Sequence, residues 1–341
     1  MPTVSIVVLN WNGKVFLKDC LDSLKRVTYP KIEVIIVDNN STDGSQAFIK
    51  KHYSEFTLVE NKKNYGFAKG NNIGWKISKG EYILFLNNDT TVTPDFLQPL
   101  LNDFKKNPKI GCLQPQIRIM KDKKLIDSAG SFMMFTGFLY HYGFRKKCLL
   151  EKYNRQREIF SAKGACIVFP RKVLQRVGVF DEDFFIFFEE TDLCFRVWLA
   201  GYTVVYEPES VIYHFVGGDT TASDSYKYER RMYLVFKNMT CSYLKNFGTE
   251  NFLKIFPLFI VVQIFVFFYS LMKLRVGVMQ AMMSAYWWNI VHIKDTLKKR
   301  RHIQHTIRKI SDKDIATAIT LNPRPSYYYY ALSKNTQQYD D

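Results

Sequence analysis

Several short polar clusters carry the side chains of this chain that could do chemistry. Residues 83–92 read ILFLNNDTTV, so a run of apolar residues stops abruptly at Asn87, Asn88 and Asp89. A turn or a helix cap needs only one such side chain, so either would be enough to explain Asp89 alone. Magnesium and manganese ions, by contrast, take carboxylate oxygens from proteins together with phosphate oxygens of a substrate. The cluster therefore indicates either a turn or a site for a metal-bound diphosphate, with the asparagines as further oxygen donors or as contacts to ribose.

An acidic cluster at residues 187–196, FFEETDLCFR, places Glu189, Glu190 and Asp192 beside a phenylalanine-rich run. Mutual repulsion and apolar neighbours both raise the pKa of a carboxyl group, and a raised pKa tunes a general base to neutral pH. The alternative is a helix N-terminus, where the helix dipole favours acidic side chains. For Glu189 and Glu190 we favour the catalytic interpretation, and for Asp192 both interpretations stay open.

Two further polar stretches are suited to a nucleotide. The stretch DNNSTDGS at residues 38–45 follows an apolar run directly, and Asp43 and Gly44 in it could simply begin a helix. Asp38, at the end of the apolar run, is not explained by capping and could accept a hydrogen bond from a base or a ribose hydroxyl. The stretch NYGFAKGNNIG at residues 64–74 is either a loop that enters a helix or a surface of small residues that a flat base can approach. It lacks the G-x-G-x-x-G pattern of a dinucleotide fold.

A histidine, His214, precedes two glycines in the stretch YHFVGGDT at residues 213–220. A lone histidine is more often structural than a metal ligand. The Gly-Gly pair, however, allows a flexible segment that folds over an anion, and the imidazole could complete a metal shell with Asp89. Both interpretations are kept.

The elements that must position these residues alternate between strands and helices. Apolar runs predict strands at residues 4–9, 32–37, 57–59, 82–86, 110–113, 165–169 and 203–206, and a hairpin or irregular β segment at 131–144. Helices are predicted at residues 14–25, 44–52, 68–78, 170–177 and 191–200, and after Pro94. Short apolar strands separated by helices form parallel sheets, which bind ligands at the carboxyl ends of their strands. The polar clusters follow such ends, so the sequence predicts an α/β fold in which they meet.

The composition changes toward the C-terminus. Residues 255–272 carry no charge and reach the lower length limit for a bilayer span, and residues 278–293 form a weaker apolar segment that includes Trp287 and Trp288. Between Lys294 and Lys313 there are eight lysines or arginines and two aspartates. This combination is typical of contact with an anionic cytoplasmic membrane face, and the alternative is two buried helices before a solvated charged one. We expect an α/β domain at residues 1–225 and a helical membrane-associated region at 226–341.

Composition limits the classes of protein to which this chain can belong. With 341 residues, 47% of them hydrophobic, it can bury a full core, which argues against disorder. The formal charge of +16 could face nucleic acid, a membrane or an anionic substrate, but the basic excess lies beside apolar segments, so we expect no nucleic-acid partner.

The six cysteines lack C-x-x-C spacing, which favours reduced thiols and a cytosolic setting. The first apolar run is too short, and too uncharged at its front, for a signal peptide.

In this order, the motifs together resemble those of the inverting family 2 glycosyltransferases, which have the GT-A fold. The matching stretches are VSIVVLNWN at 4–12, VDNNSTDGS at 37–45, NYGFAKGNN at 64–72, FLNND at 85–89, FEETDLCFR at 188–196, and the histidine and glycines at 214–218. The basic segment from residue 300 also looks like the C-terminal part of such proteins. The sub-branch it resembles contains bacterial rhamnosyltransferase-like and cell-surface polysaccharide enzymes.

The resemblance implies a role for each matching position. Residues that follow the strands or line the base pocket would hold the nucleotide sugar, namely Asn10, Asp38, Asn40, Gly66, Ala68, Asn71, Asn72, Asn87 and Asn88, with Gly164 and Ala165 near the donor sugar. Asp89 would be the last acid of the family's D-x-D metal motif, whose first acid is Asn87 here, and His214 would be a second metal ligand. Glu190 matches the position of the catalytic base, where glutamate replaces aspartate, and Glu189 and Asp192 are expected to assist it.

The resemblance also implies a reaction. Glu190 would take the proton of an acceptor hydroxyl as that oxygen attacks the anomeric carbon with inversion, and Mg²⁺ or Mn²⁺ would neutralise the departing diphosphate. The donor would be a UDP-, dTDP- or GDP-sugar, and the acceptor a glycan or a lipid-linked intermediate at the cytoplasmic face of the cell membrane. Alternatives are a polyprenyl-phosphate glycosyltransferase and a non-catalytic membrane-bound protein that binds nucleotide sugars.

Overall fold

The computed structural model of the protein describes residues 1–216, 225–324, 326–327 and 339, with side chains from residue 228 onward in the second of these ranges. Its strands are β1 (Val4–Asn10), β2 (Ile32–Asp38), β3 (Thr57–Glu60), β4 (Tyr82–Asn87), β5 (Thr90–Val92), β6 (Ile110–Ile119), β7 (Asp122–Ser128), β8 (Ser131–Met133), β9 (Leu139–His141), β10 (Arg157–Glu158), β11 (Cys166–Pro170) and β12 (Thr203–His214). Its α-helices are α1 (Lys14–Lys25), α2 (Ser45–His52), α3 (Gly66–Ile77), α4 (Leu97–Lys106), α5 (Arg171–Val177), α6 (Glu189–Leu199), α7 (Ser225–Asn246), α8 (Thr249–Lys254), α9 (Phe256–Met272), α10 (Val276–Val291), α11 (Ile293–His302) and α12 (Asp312–Ile319).

A ten-stranded sheet carries the polar clusters at one edge of its parallel half. Strands β4, β1, β2 and β3 lie side by side in that order, all parallel, with Asn10 opposite Asp38 and Leu9 opposite Asn87. The side chains of β1 and β4 are buried almost throughout because helices cover both faces of the sheet. The predicted α/β fold with a mostly parallel central sheet is confirmed, and the polar residues after β1, β2 and β4 do meet.

The second half of the sheet is mixed and longer than the sequence indicates. Strand β11 is antiparallel to β4 and β6, and β12 is parallel to β6. Strands β6 and β12 continue past the predicted ends because polar residues that interrupt the apolar pattern, such as Gln114 and Gln116, are buried and hydrogen-bonded. Strand β5 pairs with the end of β12 and sets Thr90 opposite His214, so the neighbouring Asp89 lies beside the histidine.

Helix α7 packs directly on the part of the protein that carries the acidic cluster. Asp192 in α6 accepts hydrogen bonds from Ser242 and Asn246 of α7. Lys245 of α7 lies 3.1 Å from Asp192 and 2.5 Å from Asp181. A buried carboxylate without such partners would be strongly destabilising, so these contacts fix α7 to α6. The division of the chain at residue 225 stays a prediction.

The C-terminal helices include one long apolar segment. Among the described residues, one helical stretch, Thr249–Met272, is long and apolar enough to cross a membrane, with a mean hydropathy of 2.4. The weaker apolar segment forms α10, which buries Val278, Met282 and Ala285 near Phe236 of α7. One face of α10 is therefore a packing face within the protein.

Part of the basic segment has partners within the protein. Arg300 donates to the carbonyls of Leu244 and Phe247 at the end of α7, where the helix dipole favours a cation. Arg308 donates to Asn246 O and pairs with Asp312, so these two arginines do not face a membrane. The six cysteines are all buried and form no disulfide bond with one another.

Candidate active site

The ends of strands β1, β2 and β4 are joined by a network centred on Asn10. Its Nδ2 donates to Asp38 Oδ2 over 2.7 Å and to Ser41 Oγ over 3.1 Å, and its Oδ1 accepts from Asn88 Nδ2 over 2.6 Å. Asn10 is completely buried, and its polar atoms are satisfied within the protein, as buried amides require. The network holds three strand ends against one another.

Asp38 is engaged within the protein. Its carboxylate is buried and accepts hydrogen bonds from Asn10, from the backbone and hydroxyl of Ser41, and from Gln46. These contacts support the loop after β2, in which Asn40 is exposed and has a φ of 62°. A contact of Asp38 with the nucleotide stays a prediction.

The predicted base pocket is built around Gly66. This glycine has a φ of +79°, and a Cβ on it would lie 2.6 Å from the ring and the carbonyl of Phe185. A larger residue would therefore be strained and would collide. Asn39, which the sequence did not single out, donates to Gly66 O over 3.0 Å and fixes this loop.

Three other predicted nucleotide contacts, Ala68, Asn71 and Asn72, are buried in helix α3. Asn72 donates to Phe180 O over 2.9 Å and accepts from Phe180 N over 3.2 Å, so it connects α3 to the segment before α6. Asn71 donates to Phe67 O, and its Oδ1 is buried without a hydrogen-bond partner in the described part of the chain. Asn71 thus keeps an acceptor that a ligand could use, whereas the amide of Asn72 is occupied.

A chain of charged groups extends from Asp89 to Lys163. His214 Nε2 lies 3.3 Å from Asp89 Oδ1, and His214 Nδ1 lies 2.8 Å from Asp127 Oδ2. Asp127 in turn lies 2.6 Å from Lys163 Nζ. Burial raises the pKa of Asp127, but the hydrogen bond from His214 and the charge of Lys163 outweigh it and hold this pKa below its ordinary value. The ionised Asp127 therefore orients the imidazole so that Nε2 is turned toward Asp89.

Asp127 and Lys163 are residues of this cluster that the sequence did not reveal. Asp127 lies in β7, whose sequence DKKLIDS is too charged to suggest a strand. Lys163 lies in a loop before β11, and the one sequence signal is its position next to Gly164 and Ala165. Their proximity depends on the pairing of β7 with β6, which local patterns do not predict.

Asp89 and His214 fit two positions of a divalent-cation site. Asp89 Oδ1 is buried and accepts no hydrogen bond from the described residues. Two ligands about 2.1 Å from an octahedral ion lie about 3 Å apart, close to the 3.3 Å between Asp89 Oδ1 and His214 Nε2. No group of three or more acidic, histidine or cysteine side chains in the described ranges could hold a metal by itself, so a substrate would have to supply further ligands. Gly217 and Gly218, predicted to cover that anion, lie outside the described residues.

The two glutamates at the start of α6 differ in exposure and in pKa. Glu189 is buried, and its burial, together with the charge of Glu190, raises its pKa well above the ordinary value. Burial raises the pKa of Glu190 to about 7, while backbone hydrogen bonds and the charge of Lys163 limit the rise. Glu190 is the more exposed of the two. Burial thus favours the protonated form of Glu189, whereas Glu190 can take up and release a proton near neutral pH.

Glu190 and Asp89 are connected by one short segment of chain. A Cβ on Gly164 would lie 3.9 Å from Glu190 Cβ, so this glycine lies against the glutamate. Ala165 O accepts from Asn87 N over 3.0 Å at the end of β4. Lys163 binds Asp127 and also lowers the pKa of Glu190. Residues 163–165 therefore lie between the candidate base and the candidate metal ligands.

Asp192 has a structural environment. Burial raises its pKa, but the charges of Lys245 and Arg196 outweigh burial and hold the pKa below its ordinary value. The carboxylate is fully buried and fully engaged between α6 and α7. This arrangement favours the structural interpretation of Asp192, because its carboxylate is inaccessible and its partners stabilise the ionised form.

The loop that leads into α6 is strained. Phe185, Phe187 and Phe188 have φ values of 64°, 73° and 70°, in the left-handed region that costs a residue other than glycine about 1–3 kcal/mol. Such strain persists only where the surroundings hold the backbone in place. Phe188 immediately precedes Glu189, so whatever holds this loop also positions the two glutamates.

Asn238 of α7 holds this loop. Its side chain is fully buried, and its Nδ2 donates to the backbone carbonyls of residues 184, 186 and 187 over 3.0, 3.0 and 2.6 Å. The two N–H groups of this amide are shared among the three carbonyls and hold the backbone of residues 184–187 in place. Asn238 is therefore a candidate positioning residue for Glu190, although it lies about fifty residues away in the sequence.

Replacing Asn238 by alanine is expected to lower the turnover number by about 10–100-fold, because small displacements of a reacting group have effects of that size. The Michaelis constant for the donor should rise less than the turnover number falls, since Asn238 itself bonds none of the predicted nucleotide contacts and the loop it holds reaches them through Phe185. Steady-state kinetics with varied donor would test this expectation. Asn289→Ala is the matched control because Asn289 is also buried and donates to Lys237 O and Ala285 O, with no hydrogen bond to residues 184–188. An equal loss of turnover in both variants would show that general destabilisation is the cause.

Comparisons with known proteins agree with this architecture. Residues 5–178 match the model of the family described as "Glycosyl transferase family 2". The poly-beta-1,6-N-acetyl-D-glucosamine synthase of Staphylococcus epidermidis is 26% identical over 216 residues, which are 62% of this chain and 50% of the relative. The chain thus spans about half the length of the curated relatives it matches.

Two solved structures are similar in fold. A mannosyltransferase from Pyrobaculum calidifontis, solved with GDP-Man and Mn²⁺, matches with a TM-score of 0.55 and 16% identity over 99% of this chain and 81% of its own. GalNAc-T7, solved with UDP, GalNAc and Mn²⁺, matches with a TM-score of 0.57 and 17% identity over 72% of this chain and 48% of its own. At these identities the likeness concerns the fold, which is the expected GT-A fold. Because the family model covers half of the sequence, the chain belongs to glycosyl transferase family 2.

Proposed function

We propose that this protein is an inverting glycosyltransferase that moves a sugar from a nucleotide diphosphate to a hydroxyl group during the synthesis of a cell-surface polysaccharide. The observation that carries the proposal is the placement of Glu190, with a pKa of about 7, across residues 163–165 from the pair Asp89 and His214. Because a general base and a candidate diphosphate site lie around one short segment, the arrangement suits direct displacement of the diphosphate at an anomeric carbon.

The chain's own groups would divide the work of this reaction. Glu190 would accept the proton of the attacking hydroxyl at its carboxylate, next to the more deeply buried Glu189. Asp89 and His214 would hold a divalent cation, with Asp127 fixing the imidazole. A bound Mg²⁺ or Mn²⁺ would supply Lewis-acid stabilisation of the leaving diphosphate.

The donor is proposed to be a UDP-, dTDP- or GDP-sugar. Solved structures of similar fold contain UDP or GDP-Man together with Mn²⁺, which supports a nucleotide sugar and a divalent cation here. The curated relative is named for a polymer of N-acetylglucosamine, which supports polysaccharide synthesis and lends no support to the rhamnosyl resemblance. A thermal-shift panel of UDP-, dTDP- and GDP-sugars with and without Mn²⁺ would test the proposal, and stabilisation by none of them would overturn it.

Transfer is expected to rise with pH and to level off above about 7, because Glu190 must be deprotonated to act as a base and its pKa is about 7. The turnover number measured from about pH 5.5 to about pH 8.5 should follow a single ionisation. Donor binding measured over the same range is the control for unfolding and for metal loss. A flat profile of the turnover number would exclude Glu190 as the titrating base.

We also propose that α9 and α10 attach the protein to the cytoplasmic face of a membrane. Apolar side chains on both helices are exposed, including Phe265, Phe268, Trp287 and Ile290. Contiguous exposed apolar surface of this kind marks an interaction site, and tryptophan is favoured at the membrane–water boundary. The apolar stretch Thr249–Met272 meets the length for a span, which supports a membrane as the partner.

The double variant Phe265→Glu and Trp287→Glu is expected to reduce the membrane-bound fraction at least about tenfold, since each charge would have to enter the apolar layer. Flotation with liposomes that contain anionic lipid would measure that fraction. Leu149→Glu is the matched control because Leu149 is 83% exposed, compared with 64% for Phe265 and 66% for Trp287, and lies outside these helices. Unchanged flotation of the double variant would contradict membrane attachment through this face.

A further inference from the structure

Two arginines near the start of α7 lie over the strained loop. The guanidinium carbon of Arg230 is 5.3 Å from the ring centre of Phe185, and that of Arg231 is 5.5 Å from the ring centre of Phe187. A cation above an exposed aromatic ring adds little stability by itself. The contacts do, however, fix where the two positive charges lie.

Both positive charges are free of acidic partners in the described part of the chain. Arg230 and Arg231 are exposed and take part in no ion pair among the described side chains. The neighbouring acid, Glu229, does not neutralise them, because its carboxylate packs against Gly277 at the first turn of α10, where a Cβ would approach it within 1.8 Å. Lys163 and Lys245, by contrast, each contact a carboxylate.

The pair lies over the loop that leads to the candidate base. Phe185 O accepts from the backbone N–H groups of Phe67 and Ala68, and Phe187 lies three residues before Glu190. Asp89 and His214 contact Asp127, and no described hydrogen bond or ion pair links those three to α7. The arginines are therefore placed over the loop before α6, on the helix that begins the C-terminal region.

The same helix leads to the apolar surface. Within five residues after Arg231, Met232, Tyr233 and Phe236 pack with Val278 and Met282 of α10. Other side chains of α9 and α10 are exposed. Helix α7 therefore carries both the two arginines and the residues on which the apolar helices pack.

We propose that Arg230 and Arg231 bind a phosphate group of the acceptor, and that this phosphate belongs to a lipid-linked acceptor. Arginine matches phosphate with paired N–H groups and carries a permanent charge, and two such groups that have no carboxylate partner among the described side chains fit a diphosphate. The proposal rests on the proposed function, because it assigns the acceptor of the same site. It makes the α7 arginines specificity residues for the acceptor, separate from the groups that hold the donor.

Calorimetric titration of the full chain in detergent, saturated with UDP and Mn²⁺, tests this assignment. Farnesyl diphosphate is the lipid phosphate probe, farnesol lacks the phosphate, and a glycerol phosphate oligomer carries phosphate without the lipid. We expect farnesyl diphosphate to bind at least about tenfold more tightly than either farnesol or the oligomer. The double variant Arg230→Gln and Arg231→Gln should bind farnesyl diphosphate at least about tenfold more weakly than the wild-type protein does. Lys273→Gln, an exposed cation between α9 and α10, is the control and should change affinity less than twofold, about the error of such titrations.

Three outcomes would overturn the inference. Unchanged binding of farnesyl diphosphate by the double arginine variant would remove the arginines from the site. If the glycerol phosphate oligomer bound as tightly as farnesyl diphosphate, the phosphate would be assigned to a polymer instead of a lipid. If farnesol bound as tightly as farnesyl diphosphate, the binding would be hydrophobic alone and the phosphate would have no site. Failure of UDP and Mn²⁺ to bind at the outset would instead count against the proposed function.

Discussion

Replacing Glu190 by glutamine is expected to lower the turnover number for sugar transfer by about 10²–10⁴-fold, the range by which general bases accelerate reactions. Glutamine keeps the size and polarity of the side chain but cannot accept a proton from the acceptor hydroxyl. The dissociation constant of the donor nucleotide should stay within about twofold, since Glu190 forms no hydrogen bond with the predicted nucleotide contacts. Turnover with saturating donor and acceptor, beside calorimetric binding of the nucleotide, would measure both quantities.

A matched control separates this effect from a change of net charge. Glu209→Gln removes one carboxylate from an exposed position in β12 and should leave the turnover number unchanged. The variant Glu189→Gln is informative as well, because burial raises the pKa of Glu189 well above its ordinary value and so favours its uncharged form. We expect it to retain far more activity than Glu190→Gln, and the reverse order would transfer the role of base to Glu189.

The second large effect is expected for Asp89. Asp89→Asn should lower the turnover number by more than about 100-fold, because even residues that only support a metal ligand cost 10–100-fold when replaced. It should also abolish the part of nucleotide binding that depends on Mn²⁺, which a thermal-shift series with UDP, with and without Mn²⁺, would measure. His214→Ala should weaken the same metal-dependent binding, since Nε2 lies 3.3 Å from Asp89 Oδ1.

Chelation of the metal and replacement of a distant aspartate provide the two controls for this prediction. Excess chelator should reduce the wild-type protein to the binding level of Asp89→Asn and should leave that variant unaffected. Asp95→Asn, at an exposed position before α4, should behave as wild type. Full Mn²⁺-dependent binding by Asp89→Asn would exclude this carboxylate as a metal ligand.

Local sequence patterns predicted the parallel half of the fold because each of its strands is a short apolar run that ends in polar residues. Strands β1, β2 and β4 end within one residue of their predicted positions, and helix α1 has its predicted bounds. The parallel arrangement then follows from the alternation with helices, and it brings Asn10, Asp38 and Asn88 into hydrogen-bond contact.

Long-range pairing explains what the sequence did not reveal. Asp127 and Lys163 enter the site through β7, a charged strand that is stabilised by its neighbour β6. Asn238 and the two arginines of α7 come from a region that composition alone describes as an appendage. Their role depends on the buried contacts between α6 and α7, which no local pattern encodes.

Contacts of the same long-range kind bear on the roles predicted for two acids. Asp38 and Asp192 are both acids at the end or start of an element, where sequence reasoning expects ligands or caps. Asp38 accepts hydrogen bonds from Asn10, Ser41 and Gln46, and Asp192 lies between Arg196 and Lys245. Whether an acid is free to act depends on its partners, and those partners come from distant parts of the chain.

A crystal structure of the full chain with UDP and Mn²⁺ tests the central claim most directly. The account predicts a manganese ion within about 2.3 Å of both Asp89 Oδ1 and His214 Nε2, bridged to the diphosphate. It also predicts that the carboxylate of Glu190 faces the side of the diphosphate on which the sugar would lie. A nucleotide bound elsewhere, or a metal held by other residues with Glu190 turned away, would contradict it.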